Sequence, residues 1–128
     1  MDKQDKGKLG EDAVCEMLRK KGHEILSRNY RKRVGEIDII SRKDGFIVFT
    51  EVKTRKRNSC YNGLEAVDER KRVKIVLTAD AYLTEYQPGL QPRYDICEVE
   101  ITQGKAPHVI SIHHYEDAFT ADGVYTVN

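Results

Sequence analysis

Two β-rich runs on either side of an Asp-Gly pair constrain the fold of this chain more than any other feature. Residues 35–41 and 46–53 are rich in Ile, Val and Phe, and Asp44-Gly45 lies between them. An Asp-Gly pair between two such runs is the strongest short-range signal for a β-hairpin. A two-residue loop pairs Lys43 with Phe46, so the numbers of facing residues add to 89.

This register predicts a group of charged side chains farther along the hairpin. Asp38 then faces Glu51. Glu36 faces Lys53 in the same way. Because side chains alternate between the two faces of a strand, all four project from the same side. Facing residues have Cβ atoms about 4.5–5.5 Å apart, and two like charges at that distance destabilise a sheet. A divalent cation between Asp38 and Glu51 removes this objection.

A metal site of this kind has a chemical use. Mg²⁺ prefers oxygen ligands and is often held by one or two carboxylates together with substrate phosphate. We therefore expect Mg²⁺ or Mn²⁺, with Asp38 and Glu51 as ligands and the backbone carbonyl of Val52 as a further one. In phosphodiester hydrolysis such ions neutralise the phosphate and activate water, while Lys53 orients the water or stabilises developing negative charge. The alternative interpretation is a solvated strand face with a Glu36–Lys53 ion pair.

The segments around the hairpin predict helices and further strands. The predicted elements are a helix over 7–22, strands over 24–31, 35–41, 46–53, 93–103 and 108–115, and a second helix over 66–86 whose buried side carries Ile75, Val76, Ala79, Leu83 and Tyr86. Residues 54–65 lack periodicity and are expected to form an exposed loop. The order αβββαββ favours an α/β fold in which helices flank a central mixed β-sheet. We expect one domain over 1–119, followed by a tail over 120–128.

The first predicted helix carries a further acidic candidate. On a helical wheel, Glu11 lies beside Leu18 at the border of the apolar stripe. In that position it could point over the sheet toward Asp38 and Glu51. It could equally be a boundary residue near a helix N-terminus, where the helix dipole favours acids.

The charges of the chain are distributed unevenly, although the formal net charge is only +1. Residues 1–75 carry 20 basic and 13 acidic side chains, whereas residues 76–128 carry 2 and 8. A basic surface of this kind suits a phosphate backbone, and an ordinary solvated face explains it equally well. The candidates for phosphate contacts are Arg31, Arg33, Arg55, Lys71 and Lys74.

Composition restricts the compartment and the class of site. No apolar run approaches the ~20 residues of a membrane-spanning helix, and the N-terminus lacks the apolar core of a secretory signal. Three widely spaced cysteines without a C-x-x-C pair argue against disulfides and against a zinc site. The four histidines show no metal-ligand spacing, and we expect them at the surface or in packing roles. We therefore expect a cytoplasmic protein without a membrane partner or a small-molecule cofactor.

Several short motifs, taken in order, resemble those of a known family. They are Gly7-Lys8-Leu9-Gly10-Glu11, Gly35-Glu36-Ile37-Asp38, Glu51-Val52-Lys53-Thr54-Arg55, Leu64-Glu65-Ala66-Val67 with Lys71, and Arg93-Tyr94-Asp95. The set resembles that of the YraN-like uncharacterised protein family, and the resemblance covers about residues 7–119. That family is similar to the archaeal Holliday-junction resolvases within the PD-(D/E)xK, restriction-endonuclease-like superfamily.

The resemblance implies a restriction-endonuclease-like fold and a particular site. Asp38, Glu51 and Lys53 match the catalytic core of the superfamily. Glu11 matches the acidic residue that the resolvases carry on their first helix. Resolvases are homodimers that cut branched DNA, so the resemblance also suggests a homodimer and a DNA substrate.

The leading hypothesis is a metal-dependent nuclease that hydrolyses phosphodiester bonds in DNA, including branched or structured DNA. One alternative is a non-catalytic nucleic-acid-binding module with the same fold. Another is a protein-interaction domain that uses the acidic C-terminal half. The chain departs from the resolvase pattern at Ile37, which replaces a proline, and at Asp12, which replaces a basic residue.

Overall fold

The computed structural model describes residues 2–58, 67–122 and 124. Its elements are, in chain order, helix α1 (Lys3–Lys20), strands β1 (Glu24–Lys32), β2 (Gly35–Lys43) and β3 (Phe46–Lys56), helix α2 (Glu69–Tyr86), and strands β4 (Gln91–Ile101) and β5 (Val109–Phe119). The predicted order of elements is confirmed. Several bounds move, and side-chain caps explain the helix starts.

Both helices begin at an aspartate that satisfies a free backbone N–H group. α1 starts four residues earlier than predicted because Asp2 accepts a hydrogen bond from the Asp5 N–H at 2.9 Å. α2 starts three residues later than predicted because Asp68 accepts one from the Lys71 N–H at 3.0 Å. The caps therefore set both starts.

Four strands are longer than predicted, and β3 and β5 gain the most, three residues each. The first three residues of the predicted loop over 54–65 belong to β3, because they continue the pairing with β4 as far as Lys56 and Ile101. Residues 59–66, which include most of that loop, lie outside the described part of the chain. β5 runs four residues past its predicted end and closes at Phe119.

The five strands form one mixed sheet in the order β1-β2-β3-β4-β5. Neighbouring strands are antiparallel except β3 and β4, which are parallel, and α2 lies in the crossover between them. α1 packs on one face of the sheet and α2 on the other. This confirms the predicted α/β class and is consistent with a restriction-endonuclease-like fold. Neither helix of the described chain is long and apolar enough to cross a membrane.

Each face of the sheet has its own apolar cluster. The cluster under α1 consists of Val14, Cys15, Leu18, Ile39, Cys97, Val99 and Ile101. The cluster under α2 includes Ile75, Val76 and Ala79, as predicted. The prediction for Tyr86 is wrong. This ring, at the last residue of α2, rests on that of Tyr82 with centroids 4.5 Å apart and stays 57% exposed.

The predicted hairpin turn forms at Asp44-Gly45. Both residues have a positive φ, 50° and 85°, as the favoured two-residue hairpin loops require. Facing pairs run from Lys43 and Phe46 to Ile39 and Thr50. The predicted register is therefore confirmed over this stretch.

Beyond Ile39 the regular pairing of β2 with β3 stops, so Asp38 and Glu36 do not face β3 in the ladder as predicted. Glu36 faces Arg31 of β1 instead. The reason is a break in the alternation of β2. Ile37 packs in the cluster under α2 and Ile39 in the cluster under α1, whereas residues two apart on a regular strand share a face.

Candidate active site

Asp38 and Glu51 meet where β2 and β3 stop pairing. Asp38 Oδ2 accepts a hydrogen bond from the backbone N–H of Val52 at 2.7 Å, which ties the end of β2 to β3. The Glu51 carboxyl is hydrogen-bonded to Asp38 and is only 14% exposed. Lys53 Nζ lies 3.4 Å from Glu51 Oε1. The structure therefore brings the three predicted residues together, although regular strand pairing does not place them.

Burial and mutual repulsion dominate the electrostatics of this carboxylate pair. The pKa of Asp38 is raised well above its ordinary value, first by burial and second by the charge of Glu51. The hydrogen bond from the Val52 N–H acts in the opposite direction but does not cancel this rise. The pKa of Glu51 is also raised by burial, although Lys53 opposes the rise. Two carboxyls in contact titrate as a pair. Without a cation, the pair favours holding a proton between its members.

A second lysine enters the same site from α2. Lys71 lies in the first turn of α2 and contacts Lys53, and this contact, together with burial, lowers the pKa of Lys71. Burial acts against the charge of Lys53, but its contacts with Lys71 and Glu51 raise its pKa overall. Two ammonium groups therefore lie beside two acids. The predicted phosphate-contacting role of Lys71 stays a prediction, and the structure places it next to the carboxylate pair.

Glu11 faces the same region from α1. Its side chain is 18% exposed, and burial raises the pKa of Glu11 while the charge of Arg28 lowers it. Arg28 Nη2 lies 3.9 Å from Glu11 Oε1 and 2.7 Å from Asp12 Oδ1. Glu11 is close enough to Asp38 for its charge to raise the pKa of Asp38 further. Of the two positions considered for Glu11, the structure shows the one over the sheet.

An open cleft of about 810 Å³ lies beside Asp38. Its lining combines acids with basic side chains and a glycine: Gly7, Lys8, Glu11, Arg28, Asn29, Arg31, Glu36 and Asp38. Arg31 is 76% exposed, and its Nε lies 3.3 Å from Glu36 Oε2. The cleft thus brings three basic side chains and three carboxylates into one lining.

The other predicted phosphate contacts lie in different surroundings. Arg33 is exposed in the turn between β1 and β2, and Lys74 is exposed on α2 one turn beyond Lys71. Arg55 is 21% exposed and donates to Glu98 Oε1 at 2.6 Å and to Glu100 Oε2 at 3.4 Å. These acids compete with a phosphate for Arg55. Lys71 and Arg31 are the candidates that the structure brings nearest to the carboxylates.

The donor atoms of the site suit a hard divalent cation. Asp38 and Glu51 offer adjacent carboxylate oxygens, and Mg²⁺ is often bound through one or two carboxylates plus substrate phosphate. Within the described residues there is no group of three or more His, Cys, Asp or Glu side chains that could hold a metal. A metal here would therefore depend on the two carboxylates and on non-carboxylate ligands. The Val52 N–H contacts Asp38, and the predicted role of the Val52 carbonyl stays a prediction.

Sequence reasoning missed Arg28 and Asn29, which line the cleft. Both belong to a basic run that the sequence marks only as positively charged. An asparagine inside a predicted strand was the available signal, because this residue is depleted in strands.

Two histidines belong to buried polar contacts on the sheet. His23 is 4% exposed, and its Nδ1 lies 2.8 Å from Ser41 Oγ. The His114 side chain is 3% exposed, and its Nε2 lies 2.7 Å from Asp95 Oδ2. Burial acts to raise the pKa of Asp95, but hydrogen bonds from His114 and Arg93 lower it overall. The histidines were expected at the surface or in packing roles, and His23 and His114 have packing roles.

Comparison with known proteins gives one family. The model of the uncharacterised protein family UPF0102 matches residues 10–99. A UPF0102 protein of Syntrophotalea carbinolica is 39% identical over 118 residues, which cover 91% of this chain and 93% of the relative. A UPF0102 protein of Persephonella marina is 39% identical over 118 residues, covering 91% and 95%, and one of Clostridioides difficile is 35% identical over 112 residues, covering 87% and 98%. The chain therefore belongs to the UPF0102 family, as the resemblance of its motifs predicted.

Proposed function

We propose that this protein is a metal-dependent nuclease that hydrolyses phosphodiester bonds in DNA, with branched or otherwise structured DNA among its substrates. One observation carries the proposal. Two partly buried carboxyls, Asp38 and Glu51, contact each other and lie beside the ammonium groups of Lys53 and Lys71. The resemblance to resolvases supports DNA as the substrate and a homodimer as the functional form.

The carboxylate pair is costly unless a cation or a proton joins it. Two like charges in contact at a partly buried position destabilise the folded state. A role in stability alone therefore does not account for Asp38 and Glu51. Mg²⁺ or Mn²⁺ held by these carboxylates, with the Val52 carbonyl as a further ligand, would neutralise phosphate charge and make a water molecule more acidic.

The side chains of this chain have distinct roles in the proposed reaction. Lys53, held against Glu51 at 3.4 Å, donates a hydrogen bond to a phosphate oxygen and stabilises the negative charge that develops there. Lys71 adds a second positive charge at the same place. Glu11, which lines the cleft together with Asp38, accepts a hydrogen bond from the attacking water and orients it.

The cleft accounts for binding of the strand. Lys8 and the exposed Arg31 lie along its wall and present positive charge to a phosphate backbone, whereas Arg28 is paired with Asp12 and Glu11. Such contacts bind nucleic acid without regard to sequence and weaken as salt increases. This arrangement favours recognition of backbone shape, which suits a structured substrate.

Cleavage by wild type and by Asp38→Asn tests the proposal. Linear, flapped and four-way-junction DNA are incubated with Mg²⁺ or Mn²⁺, and DNA binding is measured in parallel. Asparagine keeps an oxygen for the Val52 N–H and removes only the charge. We expect cleavage to be lost and binding to be kept or tightened, because a negative charge beside the phosphate is gone.

Asp44→Asn is the matched control, because it makes the same exchange at the turn of the same hairpin. Asparagine is favoured in that turn, so this variant should fold and cleave like wild type. Full cleavage by Asp38→Asn would contradict the proposal. Salt-sensitive DNA binding without cleavage by wild type, across both metals and all three substrates, would favour the non-catalytic binding module.

A further inference from the structure

Asn29 interrupts β1 with a left-handed backbone. Its φ is 52°, in a region that residues other than glycine adopt rarely and that asparagine tolerates best. β1 nevertheless continues on both sides, since Arg28 faces Ile39 and Tyr30 faces Ile37. The position between these pairs places Asn29 opposite Asp38.

The alternation of side chains breaks at this position in both strands. Arg28 donates to Asp12 of α1, whereas Tyr30 packs edge-on against Tyr82 of α2. On a regular strand these two residues would share a face. β2 shows the matching break between Ile37 and Ile39. Neither Asn29 nor Asp38 therefore packs in the apolar cluster on either face of the sheet, and both side chains line the cleft.

The side chain of Asn29 joins two acids from different elements. With its nitrogen toward them, the amide donates to Glu11 Oε1 at 3.0 Å and to Glu36 Oε1 at 3.1 Å. The reverse orientation would set the amide oxygen against carboxylate oxygens and is unfavourable. Arg31 holds the other oxygen of Glu36 at 3.3 Å. One neutral amide thus separates two like charges and fixes α1 to β2 across the cleft.

We infer that Asn29 is a positioning residue of the site: its backbone turns Asp38 into the cleft, and its amide holds Glu11 and Glu36 in place there. This inference rests on the proposed nuclease function. It goes beyond the proposed function in one respect. The geometry of the acids depends on Asn29, a residue that contacts neither the phosphate nor the metal.

Asn29→Gly and Asn29→Ala separate the two contributions. Glycine accepts the left-handed backbone and removes only the amide, while alanine removes the amide and also strains the backbone. Asn58→Ala is the matched control for strain, because it makes the same exchange at a φ of 70° in the exposed turn that follows β3. Melting temperature, DNA affinity and the rate of cleavage at saturating DNA are measured for each.

We expect Asn29→Gly to melt near wild type, to bind DNA as wild type does, and to cleave about tenfold more slowly or worse, the usual cost of removing a residue that orients a site. Asn29→Ala and Asn58→Ala should both melt lower than wild type, and only Asn29→Ala should lose cleavage. Wild-type cleavage by Asn29→Gly overturns the inference and leaves the proposed function standing.

Absence of cleavage in wild type overturns the proposed function instead, and NMR then decides the inference without activity or metal. The side-chain amide resonances of Asn29 should shift in Glu11→Gln and in Glu36→Gln, while those of exposed Asn58 stay fixed. A shift in both variants supports the bridge between the acids. Unchanged Asn29 resonances in either variant overturn it.

Discussion

Replacing Asp38 with asparagine should stabilise the metal-free protein at neutral pH while removing its proposed activity. Burial and the neighbouring Glu51 raise the pKa of Asp38 in the folded state. The folded protein therefore keeps a proton that the unfolded chain, with an ordinary aspartate pKa of about 3.9, has already released. The contribution of this proton to the free energy of unfolding is fully present below about pH 3.9. It is lost as the pH rises through the pKa of Asp38 in the folded state.

The magnitude follows from the number of protons involved. One excess proton in the folded state lowers the free energy of unfolding by about 1.4 kcal/mol per pH unit across the interval between the two pKa values. Asparagine does not titrate, yet it keeps an oxygen for the Val52 N–H, which is 2.7 Å from Asp38 Oδ2. The free energy of unfolding of Asp38→Asn should therefore rise relative to that of wild type by up to this amount per pH unit. The rise should stop once Asp38 of the wild type is ionised.

Urea unfolding from pH 4 to pH 8 with a chelator present measures the difference. Asp95→Asn is a control with the opposite sign, because the fully buried Asp95 accepts hydrogen bonds from Arg93, His114 and the Asp117 N–H. Removing one charge of such a buried pair costs about 3–5 kcal/mol. Parallel stability curves for wild type and Asp38→Asn, or a less stable Asp38→Asn at neutral pH, would refute the reasoning about repulsion.

Two further predictions concern helix packing and the division between structural and DNA-binding basic residues. A Cβ at Gly10 would collide with Thr54 Oγ1, so Gly10→Ala should lower the free energy of unfolding by about 1–3 kcal/mol in urea titrations. Gly7→Ala, with open space around it in the same helix, should be neutral or stabilising. Arg55→Ala should lower the urea midpoint, because Arg55 is paired with Glu98 and Glu100, and should leave the salt dependence of DNA binding unchanged. Lys71→Ala should reduce the slope of log K against log salt by about one, and equal slopes in the two variants would contradict this division.

Local signals in the sequence predicted most of the fold. The Asp44-Gly45 turn set the register of the hairpin over the five pairs from Lys43–Phe46 to Ile39–Thr50. Apolar spacing placed both helices, and the order of the elements predicted a mixed sheet, in which β3 and β4 form the parallel pair. These features depend on contacts within one hairpin or one helix, which short-range patterns determine.

The candidate site was predicted in part, because its residues come from five elements. Hairpin arithmetic brought Asp38, Glu51 and Lys53 together by extending a regular ladder past the point where it ends. The contact of Lys71 with Lys53 depends on where the crossover helix returns to the sheet. No spacing rule gives that distance. The role of Asn29 was missed, since a left-handed residue inside a strand leaves no periodic signal.

The break in strand regularity and the carboxylate pair occur at the same place, and each alone reduces stability. A left-handed non-glycine residue costs free energy, and so do two contacting acids that are partly buried. A regular β1–β2–β3 ladder would avoid the first cost, and asparagine in place of Asp38 would avoid the second. Departures from local rules that coincide in this way are typical of functional sites. The cleft beside Asp38 is therefore where activity should be sought, and residues of β1 belong in that search together with those of the hairpin.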